Sequence, residues 1–327
     1  MKYKAYLIEE SEGNYSGSVK ELDKPILKDG RVLIKVINSS LNYKDALACS
    51  GAKGVVRSYP FTPGIDVAGK IIESSSNKFS AGDMVIATGY KIGMSEYGGF
   101  GEIVHLPINW VLKMPNNLNC ETAMSYGTAG ITAAACVKKI VDAGCSTSLP
   151  VLVSGATGGV GSVAVGILSK IGYEVHAITG KPQENEVLKK MGAKTIIDRN
   201  EFLQDPIKPM DKALYSSAVD TVGGDILAKT LTLVSNHGVV SCCGNVAGAS
   251  FTSSVFPFIL RGIQLCGIDS AESSIELKKE LWDLLSNSWS LELTNQTKIV
   301  ELNEIDKEIE KILQGSQIGR VVIKHGE

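Results

Sequence analysis

The chain has 327 residues, 44% hydrophobic and 21% charged, with a formal net charge of −2. That length allows two domains with cores of their own. The near-neutral balance gives no electrostatic basis for binding nucleic acid or an anionic membrane, and no apolar run reaches transmembrane length.

The N-terminus MKYKAYLIEE lacks a signal-peptide core, so a cytoplasmic protein is expected. To about residue 120 the sequence is a series of short strand-like runs: YKAYLIE, RVLIKVINS, GIDVAGKIIES, DMVIATG, EIVHLP and WVLKMP. Turn residues separate them at Lys28-Asp29-Gly30, Ala81-Gly82-Asp83 and Gly98-Gly99. A mostly β, barrel-like domain is predicted. Helical pattern begins over 121–144, where small residues imply close packing. Pro150 precedes the apolar run VLVS at 151–154, and a glycine turn then leads into a helix.

Five more strand-like runs follow: 173–179, 191–198, 214–224, 238–248 and 263–270. Helical segments separate the earlier ones. Strands alternating with helices predict a doubly wound parallel sheet, so the fold class is α/β. Amphipathic helices are expected over 273–287 and 302–315. The last run, 319–324, is expected to return to the β domain.

The cysteines number seven (Cys49, Cys120, Cys136, Cys145, Cys242, Cys243 and Cys266), with no C-x-x-C pair. Only Cys242 and Cys243 are close in sequence, and neighbours on a strand point to opposite faces. Reduced, buried thiols are expected. The four histidines cluster with neither cysteines nor acids, so no metal site is expected.

Residues 151–162, VLVSGATGGVGS, carry the most chemistry. Gly155 permits a tight turn after the strand. Gly158 and Gly159 let backbone approach a pyrophosphate, and Gly161 lets the helix pack closely. Thr157 and Val160 complete this turn and the first helical turn, whose N–H groups attract phosphate. The end of the second strand selects the cofactor. An NAD site usually carries an acid there, yet this chain reads Ile178-Thr179-Gly180-Lys181. A hydroxyl and a lysine suit a ribose 2′-phosphate, with Arg199 as a second cation. NADPH is therefore expected over NADH. Asn245 ends the fifth strand of this sheet, at the edge where ligands bind.

Several motifs narrow the reading: Ser40-Leu41-Asn42-Tyr43-Lys44-Asp45, Pro63-Gly64-Ile65-Asp66-Val67-Ala68-Gly69, Gly127-Thr128-Ala129-Gly130, Asp220-Thr221-Val222-Gly223-Gly224 and Pro257-Phe258-Ile259-Leu260-Arg261-Gly262. Together they resemble the zinc-free quinone oxidoreductase subgroup of the medium-chain dehydrogenase/reductase superfamily. Within it they resemble the bacterial branch that contains acryloyl-CoA reductase. The resemblance implies a GroES-like catalytic domain, residues 1–124 and 271–327, and a Rossmann domain, residues 125–270. The catalytic cysteine position of the zinc enzymes falls at Asn42, and Gly64-Ile65-Asp66 replaces their glycine-histidine-glutamate motif.

Without a Lewis acid, the reaction implied is hydride delivery to an activated C=C, with a quinone as the alternative acceptor. A catalytically idle NADPH sensor or RNA-binding protein is the alternative of another class. The resemblance makes Tyr43 and Asn42 the candidate catalytic residues, with Tyr43 in a polar turn and also a possible contact to the nicotinamide. Thr128, Ile259 and Ser270 are candidate cofactor contacts. Asp66 is expected to be structural, paired with Arg57. The resemblance also implies a homodimer formed through the apolar edge IQLCGID.

Overall fold

The structure, a computed structural model, describes residues 1–326. The chain opens with β1 (Lys2–Ser11), β2 (Asn14–Asp23) and β3 (Arg31–Leu41), then helix α1 (Tyr43–Cys49). Strands β4 (Asp66–Ser74), β5 (Met84–Thr88), β6 (Ile103–Pro107) and β7 (Leu112–Lys113) follow. Helix α2 (Cys120–Asp142) leads into β8 (Val151–Val153), α3 (Gly159–Lys170), β9 (Val175–Thr179), α4 (Asn185–Lys190) and β10 (Ala193–Asp198). Then come α5 (Arg199–Leu203), β11 (Ser217–Asp220), α6 (Gly224–Leu233), β12 (Val239–Cys242), α7 (Phe256–Arg261) and β13 (Gln264–Gly267). The chain finishes with α8 (Ile275–Ser286), β14 (Thr297–Glu301), α9 (Ile305–Leu313) and β15 (Arg320–Lys324).

Two compact units result. The first comprises Met1–Thr128, Ala271–Ser286 and the chain from Glu292 onward. The second comprises Ala129–Ser270 and Asn287–Leu291.

In the first unit, β1 and β2 form an antiparallel hairpin. A seven-stranded mixed sheet runs β14-β15-β3-β4-β5-β7, with β6 also pairing β3. Strand β3 is buried on both faces, which explains its unbroken apolar start. Val32, Ile34 and Val36 join one core cluster with Val67, Ile71 and Val85. Leu33 faces the other way, against Tyr3, Ala5 and Ile103. The end of β3 departs from this rule. Asn38, Ser39 and Ser40 are polar and still buried.

The amphipathic helix α8 hides a charge. Lys278 is fully buried; its ammonium donates to the carbonyls of Thr88 at 2.7 Å and Ala271 at 2.8 Å. It also lies 3.3 Å from the centre of the Tyr90 ring. These partners offset a desolvation cost of several kcal/mol.

The second unit holds a six-stranded parallel sheet ordered β10-β9-β8-β11-β12-β13. This is the doubly wound order of dinucleotide-binding domains, with the reversal between β8 and β11. Its core joins Leu152, Ile178, Ala218 and Val240 from the strands to Ile226, Leu227 and Leu231 of α6. Arg261, from the Pro257–Gly262 motif, is a staple here. Its guanidinium donates to the carbonyls of Thr232 and Val234 at 2.8 and 3.0 Å, ending α6.

The sequence shows α2 as one helical stretch. It is broken at Gly127, whose φ of 51° and ψ of −153° are not helical. A side chain there is excluded twice. The backbone lies in the region that favours glycine, and a Cβ would sit 2.5 Å from both the Asp66 carboxylate and the Ser40 hydroxyl. Gly127→Ala should therefore destabilise the protein by about 3 kcal/mol, from strain plus overpacking. Equilibrium denaturation checks this; an unchanged midpoint would refute it.

Candidate active site

The polar end of β3, the first residue of β4, the start of α1 and the break in α2 meet in one buried network. Asp66 is its centre. Its Oδ2 accepts from the Ser40 hydroxyl at 2.5 Å, the Asn42 amide at 2.8 Å and the Thr128 backbone N–H at 2.8 Å. Its Oδ1 accepts from the Thr128 hydroxyl at 2.6 Å. The nearby cation is Arg320 of β15, entirely buried, which donates to the Ser40 hydroxyl at 2.9 Å and the Ser125 carbonyl at 3.1 Å. Ser40 thus links guanidinium to carboxylate. Burial lowers the Arg320 pKa, and Asp66 and Asp45 oppose that shift. The expected Arg57 partner is corrected: Arg57 is exposed and Asp66 faces Arg320. Arg57 and Arg320 are equally plausible by type, and only strand pairing brings β15 to β3.

Asp45 is the second buried acid. Its Oδ1 accepts from the Ile65 N–H at 2.8 Å and the Gly64 N–H at 3.2 Å. Its Oδ2 accepts from the Asn42 N–H at 2.8 Å, so it caps α1 and pins the Pro63–Asp66 turn together. Burial first, and then the Asp66 charge, pushes its pKa up to about 7. The turn is held from its other side by glycines. A Cβ at Gly93 would lie 2.8 Å from the Gly64 nitrogen, and one at Gly98 or Gly99 would overlap the backbone of Gly64 or Asp66.

Tyr43 is the first residue of α1 rather than part of a loop, and its side chain is 47% exposed. Asn42 is the N-cap, buried, with its NH2 group turned onto Asp66. It is not a free donor for a substrate carbonyl; it anchors the acid. Both donors of Thr128 are likewise taken by Asp66.

In the second unit, Gly155 turns the chain after β8 with φ of 59°. Gly158 is the extended N-cap of α3, and no side chain caps that helix. Gly159, Val160 and Gly161 form its first turn. A Cβ on Gly161 would overlap the backbone of Gly155 and Ala156, so the close approach is to the turn itself. The Thr157 hydroxyl is buried 3.3 Å from that of Thr179. At the end of β9, Thr179 accepts from the Lys181 N–H at 3.0 Å. The Arg199 guanidinium lies against Gly180, where a Cβ would stand 3.0 Å from its central carbon. Lys181 is half-buried, and burial lowers its pKa against the opposing pull of Glu184.

Sequence reasoning missed the role of Asp220. This buried acid ends β11 and accepts from the Ser154 hydroxyl at 2.7 Å and the Gly223 N–H at 2.8 Å. Thr221 closes the link, donating from its N–H to Ser154 Oγ at 3.0 Å and from its hydroxyl to the Ser154 carbonyl at 2.9 Å. Burial raises the Asp220 pKa. The signal was an acid at the end of an apolar run, matched by a serine ending the first strand of the sheet.

Asn245 is exposed on the loop after β12, which bonds back to Val222 through the Ala247 N–H at 2.8 Å. Ser270 is engaged, hydroxyl to hydroxyl, with Thr132 at 2.6 Å. Ile259 is 68% exposed on α7, beside exposed Val255, Phe256 and Leu260. All seven cysteines are free, and only Cys49, Cys120 and Cys136 are fully buried. The fold adds a proximity the sequence hid: the neighbouring Cys243 thiol, together with burial, pushes the Cys136 pKa up. Among the described residues, no group of three or more His, Cys, Asp or Glu side chains is placed to hold a metal. None of the helices among those residues is long and apolar enough to cross a membrane.

Two family models match the chain: the alcohol dehydrogenase GroES-like domain over residues 28–116 and the zinc-binding dehydrogenase over residues 159–287. The probable acrylyl-CoA reductase AcuI of Escherichia coli is 38% identical over 98% of this chain and 99% of its own. The putative quinone oxidoreductase YhfP of Bacillus subtilis is 39% identical over 98% of each chain. Its structure with NAD bound matches with a TM-score of 0.96 over 99% of this chain and 100% of that one. The yhdH oxidoreductase of Salmonella enterica in complex with NADP matches with a TM-score of 0.93 at 36% identity, over the whole of both chains. Full-length likeness at this level, on a doubly wound sheet joined to a GroES-like domain, places the chain in the medium-chain dehydrogenase/reductase family, and it belongs to the same part of that family as AcuI and YhfP.

Proposed function

We propose that this protein is an NADPH-dependent, zinc-independent reductase of the cytoplasm that saturates the activated C=C of an enoyl thioester, acryloyl-CoA to propanoyl-CoA. The observation that carries the reading is the 38% identity, over nearly the whole chain, to the protein named probable acrylyl-CoA reductase. The equal likeness to YhfP favours a quinone as the second reading.

The relatives differ in the nucleotide they hold, NADP in one structure and NAD in another. The end of β9 favours NADPH here. It offers the Thr179 hydroxyl, Lys181 and the Arg199 guanidinium, with no acid at 179–181. A 2′-phosphate needs those donors and that charge. When bound, NADPH supplies the hydride. Gly158, Gly159, Val160 and Gly161 are proposed to hold its pyrophosphate, with Gly155 and Thr157 shaping the turn. Asn245 and Ser270 are proposed contacts to the rest of it, and Thr128 is proposed to contact it only as an acceptor, since Asp66 holds both of its donors.

Negative charge develops on the thioester oxygen during reduction, and an oriented donor stabilises it. Tyr43 is the proposed donor, because its phenol is half-exposed on a helix start that Asp45 fixes. Asn42 is proposed to position that start through its bond to Asp66. We further propose a homodimer. Strand β13 ends the six-stranded sheet with an open edge, and Val255, Ile259 and Leu260 are 63%, 68% and 59% exposed on the same unit. Edges and apolar patches of this kind are usually covered. Ile259 fits that covered surface better than a cofactor contact.

Three measurements follow. NADPH oxidation should be fast with acryloyl-CoA, slow with small quinones and slower still when NADH replaces NADPH. Tyr43→Phe should lower kcat roughly 100-fold with acryloyl-CoA. Activity with quinones alone overturns the substrate, and unchanged kinetics in the variant remove the tyrosine role. Second, Asp45 is protonated in the folded protein and ionised in the unfolded chain between about pH 4 and 7. Its contribution to stability is then full below pH 4 and is lost as pH rises through 7. The stability advantage of wild type over Asp45→Asn should shrink from pH 5 to pH 8; an advantage that grows would contradict the assignment. Third, light scattering should give twice the chain mass, and a monomer mass ends the dimer proposal.

A further inference from the structure

A run of the first unit carries only positive surface charge. Between Ala46 and Ile65 the sequence has no Asp or Glu, while Lys44, Lys53 and Arg57 fall in or beside that run. Lys53 and Arg57 are exposed and Lys44 is partly so. Some cations elsewhere in this unit have an acid beside them: Arg31 pairs with Glu96, Lys113 with Asp83 and Lys298 with Glu308. None of these three forms an ion pair or side-chain hydrogen bond among the described residues.

Local structure gathers them. Lys44 sits on the first turn of α1, directly after Tyr43. The loop that follows α1 folds back on the same helix. The Ala52 N–H donates to the Leu47 carbonyl at 3.0 Å, and the Tyr59 hydroxyl donates to the Ala48 carbonyl at 2.7 Å. Leu47 is three residues from Lys44, about 4.5 Å along the helix axis. Gly51, with φ of 72°, lets the loop turn over the Tyr15 ring, which packs edge-on against Tyr59 at 4.9 Å. The backbones bearing Lys53 and Arg57 are thus anchored within a turn or two of Tyr43.

We propose that Lys44, Lys53 and Arg57 form a subsite for the phosphates of an acyl-CoA substrate. The proposal rests on the enoyl-thioester reading above and extends it to the far end of the substrate. Coenzyme A carries a pyrophosphate and a phosphate monoester, and neither is altered by the reduction. Unpaired cations beside the reactive end supply charge-assisted bonds and steer a polyanion, with a reach of about 10 Å at 0.1 M salt. NADPH carries the same groups, so the test separates the two sources.

The experiment compares wild type with the full-length triple variant Lys44→Gln, Lys53→Gln, Arg57→Gln. Two acceptors are used, acryloyl-CoA and the acryloyl thioester of N-acetylcysteamine, which has no phosphate. For wild type, KM for acryloyl-CoA should be the lower of the two and should rise with sodium chloride. In the variant it should rise roughly tenfold and lose its salt dependence, with KM for the short thioester and for NADPH within twofold of wild type. An unchanged KM for acryloyl-CoA overturns the proposal. So does a loss that falls on NADPH, which would assign the cations to the cofactor. If wild type reduces neither thioester, the enoyl-thioester reading itself fails and takes this subsite with it. If wild type reduces both and the variant keeps the wild-type preference for acryloyl-CoA and its salt dependence, the subsite alone is wrong.

Discussion

The first unit is organised around a carboxylate that cannot reach water. Asp66 is completely buried, and stripping a carboxylate of solvent costs several kcal/mol. Four donors from Ser40, Asn42 and Thr128 replace the lost hydration, at about 1.5–3 kcal/mol for each charge-assisted bond. Those donors fix the end of β3, the cap of α1 and the break in α2. Each is a point where a regular element stops. The broken helix follows from the same demand, since a Cβ on Gly127 would stand where the carboxylate and its serine partner meet.

Asp45 shows the other outcome for a buried acid. It has backbone donors from Asn42, Gly64 and Ile65, and its nearest strong charge is another acid. The neutral form is favoured until near pH 7. The two acids therefore do different work with the same functional group. Asp66 gathers donors around a charge, whereas Asp45 ties a helix start to the Pro63–Asp66 turn. Tyr43, which follows the cap directly, inherits its orientation from both.

The second unit repeats the device. Asp220 ends a central strand, takes the hydroxyl of Ser154 from the neighbouring strand, and holds the Gly223 turn. The two central strand ends are thereby locked at the edge where open parallel sheets bind ligands. The glycine loop proposed to hold a nucleotide follows directly on Ser154, the residue that Asp220 binds. The charged groups proposed for phosphates lie outside these networks, on Lys181 and Arg199 in one unit and on Lys44, Lys53 and Arg57 in the other. The buried charges, Asp66, Arg320 and Lys278, all have hydrogen-bond partners, as desolvation costs require, whereas these cations are at least partly solvated.

The sequence by itself determined the sheet of the second unit, the glycine turn and the choice of Thr179-Gly180-Lys181 at a strand end. These are local: alternation of strand and helix, and backbone freedom at glycine, are written in contiguous residues. It also determined the β-rich character of the first unit, though β2, α1 and β14 lack a strong periodic signal and were not legible. Only the tertiary structure decided the partners of the buried charges. Arg320 and Asp66 are separated by most of the chain, and Lys278 on an amphipathic helix has the composition of a solvated residue. A buried charge is chosen by which strand pairs with which and by which carbonyls are left over, and neither quantity is encoded near the residue itself. For the same reason Asn42 is a candidate catalytic residue by the family resemblance, while in the fold its amide donates to Asp66.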